Sequence, residues 1–538
     1  MKKFNFWAIA LILLGVTSCA NDDPDSRIEI TGLTDEVYFE KVGDIQSIGL
    51  KEHYQLLIQE ASQGNNEGDA MMLEYAQSQL ESVDEYEKEC INQVGANWDS
   101  GADGESGTNG LLGYRYATIR YKSIDHTGKK VMLSSLVVWP YNNILSDPHA
   151  NNIVIGCHVT IGSNAERPSN YSKNSILTDV GMLACSAKSN GIGLSYENLV
   201  IIPDYQGYGA THGEVHPYLS QDITARQVLD GVRAGKAFYE QYLEHKLEDN
   251  WKSISTGYSQ GGSVAMAVHR YIEKNNLTSE FRFAGSVCGS GPYDPVATLK
   301  KYIDEDKTYM PVAAAMIVYS MCNTNQRMMG KYNVEDYMTD ACINSGIIDM
   351  IKSKTLDTDK MNEALLEHSA KYNKDDKTSL CMYRKCGDEF YPYRKDTKDI
   401  YTWESGNKTS YAVLSDCLRP EVINWMKGEK DPAHKDKMEA LIGALNDNAL
   451  YNNWSPAKPI ILFHTKDDEV VPIENYTNCL NSWENSPNVK GVRYVGFTKY
   501  HVAYGTVFFL QHEGWGVSSI LGGDLKDFQF DKMVVGVY

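Results

Sequence analysis

Three residues of this chain are of types and in an order that could carry out nucleophilic catalysis. Ser259 lies in Gly257-Tyr258-Ser259-Gln260-Gly261-Gly262, where an apolar run ends and a helical pattern begins. A G-x-S-x-G sequence between a strand and a helix makes a sharp turn that presents the serine hydroxyl. The turn brings backbone so close that glycine is needed on both sides. It also sets the serine at a helix N-terminus, where free N–H groups and the dipole favour developing negative charge. A serine hydroxyl is a poor nucleophile until a base removes its proton. In the Ser-His-acid arrangement that base is a histidine, oriented by a carboxylate. Downstream stands His464-Thr465-Lys466-Asp467-Asp468-Glu469-Val470-Val471-Pro472, with two adjacent aspartates at the end of an apolar run. Further on, Lys499-Tyr500-His501-Val502-Ala503 follows another such run, and His501 is better placed than His512, which falls within a terminal helical pattern.

A developing oxyanion needs hydrogen-bond donors. One is expected from the N–H of Gln260, the residue after the nucleophile. The other is expected from Cys157-His158-Val159-Thr160-Ile161-Gly162, through the N–H of Val159 or Thr160. The chemistry requires no metal or organic cofactor. His212 and His216 in His-Gly-Glu-Val-His are flanked by Gly and Pro and read as a loop, which does not present two ligands on one helix face for zinc.

The elements that must position these groups alternate in type. Tyr114 to Ile124 and Val131 to Trp139 are β-rich runs separated by Asp125-His126-Thr127-Gly128, which predicts an antiparallel hairpin. Short apolar runs of the buried parallel-strand type follow at 152–156, 199–203, 253–257 and 283–287, with helical patterns at 222–245 and 262–274 between them. Strand–helix alternation predicts an α/β fold, a mostly parallel sheet with helices on both faces. From 292 to 456 the alternation stops in a region read as an inserted helical cap rich in Met and Tyr. It resumes with strands near 459–463 and 492–496, a helix from Glu474 to Trp483 and a terminal helix from His501.

Several motifs resemble the secretory lipase family, the group that includes fungal lipase A-like enzymes, within the α/β-hydrolase superfamily. They are Gly-Tyr-Ser-Gln-Gly-Gly, Pro203-Asp204-Tyr205-Gln206-Gly207-Tyr208-Gly209, His216-Pro217-Tyr218-Leu219 and the cap ahead of the acid, spanning roughly residues 110 to 520. The resemblance implies an α/β-hydrolase fold with a helical lid and an esterase or lipase activity. The His-Gly-x-x-Asp-x-x-Val-Pro pattern common in that superfamily matches Asp468 rather than Asp467, with Thr465 in place of Gly. His158-Val159-Thr160 stands where relatives often have His-Gly-Thr. A serine peptidase of the same fold is the nearest alternative. A non-catalytic surface-binding lipoprotein on a hydrolase scaffold is the other.

The N-terminus carries its own signal. Lys2 and Lys3 precede an apolar run from Phe4 to Val16, then Val16-Thr17-Ser18-Cys19. A basic end, a short apolar stretch and small residues describe a secretory signal peptide, too short for a span of about 20 residues. Small residues ending in Cys resemble the lipobox of bacterial lipoproteins, which implies Cys19 as a lipid anchor. Asn21-Asp22-Asp23 resembles an acidic tag for export to the surface, so the expected place is the cell envelope, as an outer-membrane lipoprotein. The resulting partition is a signal peptide 1–19, an acidic tether and helical N-terminal extension 20–110, a first core part 111–291, the helical cap 292–456 and a second core part 457–538. Acidic residues outnumber basic ones, 71 to 51, for a net charge of -20, which repels phosphate backbones and excludes nucleic acid as partner. The expected partners are an ester substrate, small or lipid-like, and a membrane. Of the 11 cysteines, Cys157, Cys185 and Cys288 sit in apolar runs and read as buried thiols, while no compact metal spacing appears.

Overall fold

A computed structural model describes residues 28–523, apart from 31–36, 64–66, 95–111, 143–149, 172–187, 190–191, 194–197, 370–379, 381, 387–388, 393–409, 495–500 and 502–504. The signal segment, Cys19, the acidic tag, the Gly-rich stretch 99–107 and Cys185 lie outside the described residues.

The apolar runs assemble into one ten-stranded sheet: β1 Ile28–Ile30, β2 Phe39–Gly49, β3 Leu112–Ile124, β4 Lys130–Asn142, β5 Asn152–Cys157, β6 Asn198–Pro203, β7 Ser253–Tyr258, β8 Phe283–Gly289, β9 Ile460–Thr465 and β10 Val489–Tyr494. The order is β1-β2-β3-β4-β6-β5-β7-β8-β9-β10. From β6 onward neighbours run parallel, and β1 to β4 form an antiparallel flank. The hairpin β3–β4 closes on Asp125, whose Oδ1 accepts from the N–H groups of Thr127 and Lys129 at 2.8 and 3.0 Å. This is the mostly parallel, helix-flanked architecture expected from the alternation.

Side chains divide by parity, as the pleat requires. Ile153, Ile155, Leu199 and Ile201 pack with the helices Gln221–Ala237 and Gln260–Lys274. Val154, Val200, Ile202 and Ile254 face the opposite way, against helices Leu50–Ala61 and Thr506–Gly522. Both faces are therefore dry, which is why these strands read as continuous apolar runs rather than alternating ones.

Two expectations are corrected. Residues 20–110 are not simply tether and helix: Phe39–Gly49 is a strand paired to β3 along its length. A bulge between Val42 and Gln46, with Gly43 at φ 71°, shifts the register mid-strand. Phe39 and Ile48 thus both reach the core while Ile45 is left 40 % exposed, and the broken alternation imitates a helical start. The region 292–456 is not wholly helical either. Its helices share a core, but Lys307–Thr308, Ser410–Val413, Met382–Cys386 and Glu389–Pro392 form a four-stranded antiparallel sheet in that order. Strands of two to five residues are too short to show a period of two.

This large excursion leaves and rejoins the sheet at one place. Leu450 N–H donates to Tyr293 O at 2.9 Å, and the Asp294 carboxylate accepts from Tyr451 OH at 2.7 Å. Its far edge rests on the loops after β5 and β6. There Asn164 N–H donates to Lys354 O at 2.8 Å, and Lys354 Nζ donates to His212 O at 2.8 Å.

Candidate active site

Ser259 sits in the turn between β7 and the helix Gln260–Lys274 with φ 55° and ψ −123°. That conformation is costly for any residue with a Cβ, and surrounding packing has to enforce it. The enforcement is visible in the glycines. A Cβ on Gly257 would lie 2.3 Å from Cys157 O, one on Gly261 2.0 Å from the same oxygen, and one on Gly262 2.3 Å from Gly289 O. The turn is thus wedged between the ends of β5 and β8. Ser259 N–H donates to Gly289 O at 2.8 Å and fixes it there.

The ends of β9 and the chain beyond β10 deliver the partners. Ser259 Oγ lies 2.8 Å from His501 Nε2, and His501 Nδ1 lies 2.6 Å from Asp468 Oδ2. Ser259 thus donates to one ring nitrogen while the other donates to the carboxylate. Asp468 Oδ1 accepts from the N–H groups of Val470 and Val471 at 3.0 and 2.7 Å, so both oxygens are held. Burial pushes the Asp468 carboxyl upward, but the His501 charge and hydrogen bond, with His464 and the Val471 N–H, outweigh it and hold the group below its ordinary value. Asp468 therefore stays ionised in a dry setting. Asp467, next to it, is exposed.

His501 is braced from its backbone as well. Its N–H donates to the Glu469 carboxylate at 3.0 and 3.1 Å, and its carbonyl accepts from Tyr258 OH at 2.7 Å. Neither Tyr258 nor Glu469 was singled out from sequence as a brace, and nothing in residue type marks them. His512 belongs to the helix Thr506–Gly522 instead.

The expected oxyanion donors come from two loops placed side by side by the β5–β7 register, Cys157 opposite Gly257. Gln260 is the first residue of its helix, where N–H groups have no intrahelical acceptor. Its side chain lies 2.9 Å from His216 Nε2, and His216 Nδ1 lies 2.8 Å from Gln206 O. The amide must donate to Nε2 and the ring must donate to the carbonyl, so His216 is the neutral Nδ1–H tautomer. Burial agrees, lowering its proton affinity to a value about 3. Both ring nitrogens are thus engaged within the protein. Val159 turns its side chain into the core, 3 % exposed, and its carbonyl meets His158 Nδ1 at 2.7 Å. Thr160 Oγ1 lies 2.9 Å from Tyr218 OH.

Ser259 and Thr160 open onto a cavity enclosing about 830 Å³, its mouth included. The wall is almost wholly apolar, with Leu299, Ala314, Ile317, Leu418 and Leu441 carried by the excursion. A concave, dry pocket with a few convergent polar groups at one end is the form ligand sites take.

No family model and no curated protein matches the chain. Among solved structures, the rice cell wall degrading esterase LipA from Xanthomonas oryzae superposes with a TM-score of 0.54 at 19% identity, covering 78% of this chain and 93% of that one. An inferred hydrolase from Legionella pneumophila gives 0.54 at 16% identity, over 92% and 99%. Candida antarctica lipase A superposes more loosely, at 0.46 and 13% identity over 77% and 78%. The fold is that of the α/β-hydrolases.

Proposed function

We propose that this protein is a serine hydrolase that cleaves carboxylic esters through an acyl-Ser259 intermediate. The observation that carries the reading is the unbroken Ser259–His501–Asp468 chain, at 2.8 and 2.6 Å, opening onto an apolar cavity. His501 takes the Ser259 proton as the oxygen attacks the ester carbonyl, then gives it to the departing alcohol. Water, deprotonated by the same ring, releases the acid and restores the serine. Asp468 keeps the ring in the tautomer that accepts at Nε2 and stabilises its charged form. The N–H of Gln260, with that of Val159 or Thr160, serves the oxyanion, and no metal or cofactor enters. The cavity favours an apolar acyl group, in keeping with the lipase A-like motifs and with LipA being called an esterase.

The test is a panel of p-nitrophenyl esters of rising chain length beside peptide anilides, on the wild type and Ser259→Ala. Ester cleavage should vanish in the variant. Cleavage confined to anilides would make the protein a peptidase instead, and no Ser259-dependent turnover on either would leave the non-catalytic binder.

We further infer a lipid anchor at Cys19 and a place in the outer membrane, on the strength of the signal-like N-terminus. Cys19→Ala should move the protein from the membrane fraction to the soluble one, and an unchanged distribution would end the proposal. Among the described residues no helix is long and apolar enough to cross a membrane.

A further inference from the structure

Five hydroxyl groups line the cavity: Ser259, Thr160, Tyr218, Thr298 and Tyr302. Their protons can be traced one by one. Ser259 donates to His501 Nε2 at 2.8 Å. Thr298 donates to Asp294 O at 3.0 Å and accepts from Asn475 Nδ2 at 2.8 Å. Tyr302 donates to Val470 O. Among the described residues Thr160 and Tyr218 share a single hydrogen bond of 2.9 Å, so within them the pair has two protons and uses one. Both residues are buried, 4 % and 5 % exposed, and a buried donor without an acceptor is expensive. The remaining proton can be satisfied by an acceptor that enters the cavity beside Ser259.

We propose that the Thr160 hydroxyl is a third donor to the transition-state oxyanion, with Tyr218 donating into Thr160 Oγ1 and so turning its proton toward the reacting carbonyl. This rests on the ester-hydrolase reading and goes beyond it, since that reading asks only for backbone N–H groups.

The direction of donation follows from chemistry and place. A phenol is the stronger acid of the two, and so the better donor to the other oxygen. Burial raises the Tyr218 hydroxyl to about 12, so it remains protonated wherever the protein is assayed. Thr160 follows the segment packed on the nucleophile turn, where a Cβ on Gly261 would meet both Cys157 O and His158 O, at 2.0 and 2.8 Å. Tyr218 is held in turn. Its ring meets the His216 ring edge-on at 5.8 Å, and His216 is fixed by Gln206 and Gln260. One chain of contacts, Gln260–His216–Tyr218–Thr160, therefore connects both sides of the oxyanion site. Tyr218 and His216 are positioning residues, and it is the Thr160 hydroxyl, beside the Gln260 N–H, that reaches the substrate.

The test uses the full chain and two readouts. The first is the rate at which a fluorophosphonate labels Ser259, because its phosphoryl oxygen occupies the oxyanion place. The second is kcat and KM on a p-nitrophenyl ester. Thr160→Val should slow both labelling and kcat by about 10²-fold, the usual loss for one such donor, with KM within about threefold. Thr160→Ser keeps the hydroxyl and should recover at least about tenfold of that loss. Tyr218→Phe should lower kcat by about tenfold, again with little change in KM. Matching melting temperatures for Thr160→Val and Thr160→Ser would separate the hydroxyl from misfolding. A Thr160→Val protein with the labelling rate and kcat of the wild type would overturn the inference and leave the ester-hydrolase reading intact. A wild type that the phosphonate does not label at Ser259 would overturn both.

Discussion

At the scale of single residues, the site depends on how two neighbours with the same side chain are treated by the backbone. Asp467 and Asp468 are chemically identical, yet only Asp468 turns inward, because Val470 and Val471 N–H groups capture one of its oxygens and present the other to His501. Asp468→Asn keeps the shape but allows the wrong imidazole tautomer, so kcat should fall by about 10³–10⁴-fold with KM little changed. Asp467→Asn, on an exposed side chain, should leave kcat within about threefold, and steady-state kinetics on the two variants checks the pair. Equal losses would mean that the loop, not one carboxylate, matters. The order Ser, acid, His was legible in the sequence because chain order and element ends constrain it. The choice between the aspartates was not settled by chemistry, since it depends on which backbone amides fold back. The bracing of His501 by Tyr258 and Glu469 was not legible at all, because a contact through a carbonyl or an N–H leaves no mark on residue spacing.

At the scale of elements, the central strands were readable because burial on both faces makes them apolar throughout, whereas β2 was hidden by its bulge and the small sheet by its short strands. The loop after β5 carries a second consequence. Glu166 Oε2 accepts from Gly162 and Ser163 N–H at 3.0 and 2.8 Å, directly beneath the segment from Lys354 to Met361. Burial raises its carboxyl from 4.5 to about 7, against the Ser163 N–H and with Asp357 adding to the rise. The folded state then holds this proton more tightly than the unfolded chain does. Its contribution to stability is complete below the unfolded value of 4.5 and is lost as pH rises to about 7, after which it is flat. With the partly wet side chain discounted, the loss is on the order of 1–2 kcal/mol. Glu166→Gln cannot titrate, so its melting temperature relative to wild type should climb across that window and level off above it. Thermal melts at half-unit pH steps would show this, and a constant difference would refute the assignment.

At the scale of the whole molecule, the Ser259, Asp468 and His501 groups come from the ends of the sheet and the cavity wall comes mostly from the excursion between β8 and β9. Ala314 lies on that wall, in the helix Pro311–Thr324. Ala314→Phe should therefore cut turnover of long-chain esters by about tenfold or more while sparing acetate and butyrate esters, since overfilling a packed space is not relieved locally. A uniform loss across chain lengths would place the acyl group elsewhere. The stitching of Tyr293 to Leu450 bears on descent as much as on stability. Because the excursion departs and returns at one seam, those stretches of it that touch neither the loops after β5 and β6 nor Val470 and Asn475 can change length while strand register and the Ser259–His501–Asp468 distances stay as they are. On the ester-hydrolase proposal, the part that reacts and the part that chooses could then drift at different rates, and a lineage could acquire a new diet of esters without relearning how to break one.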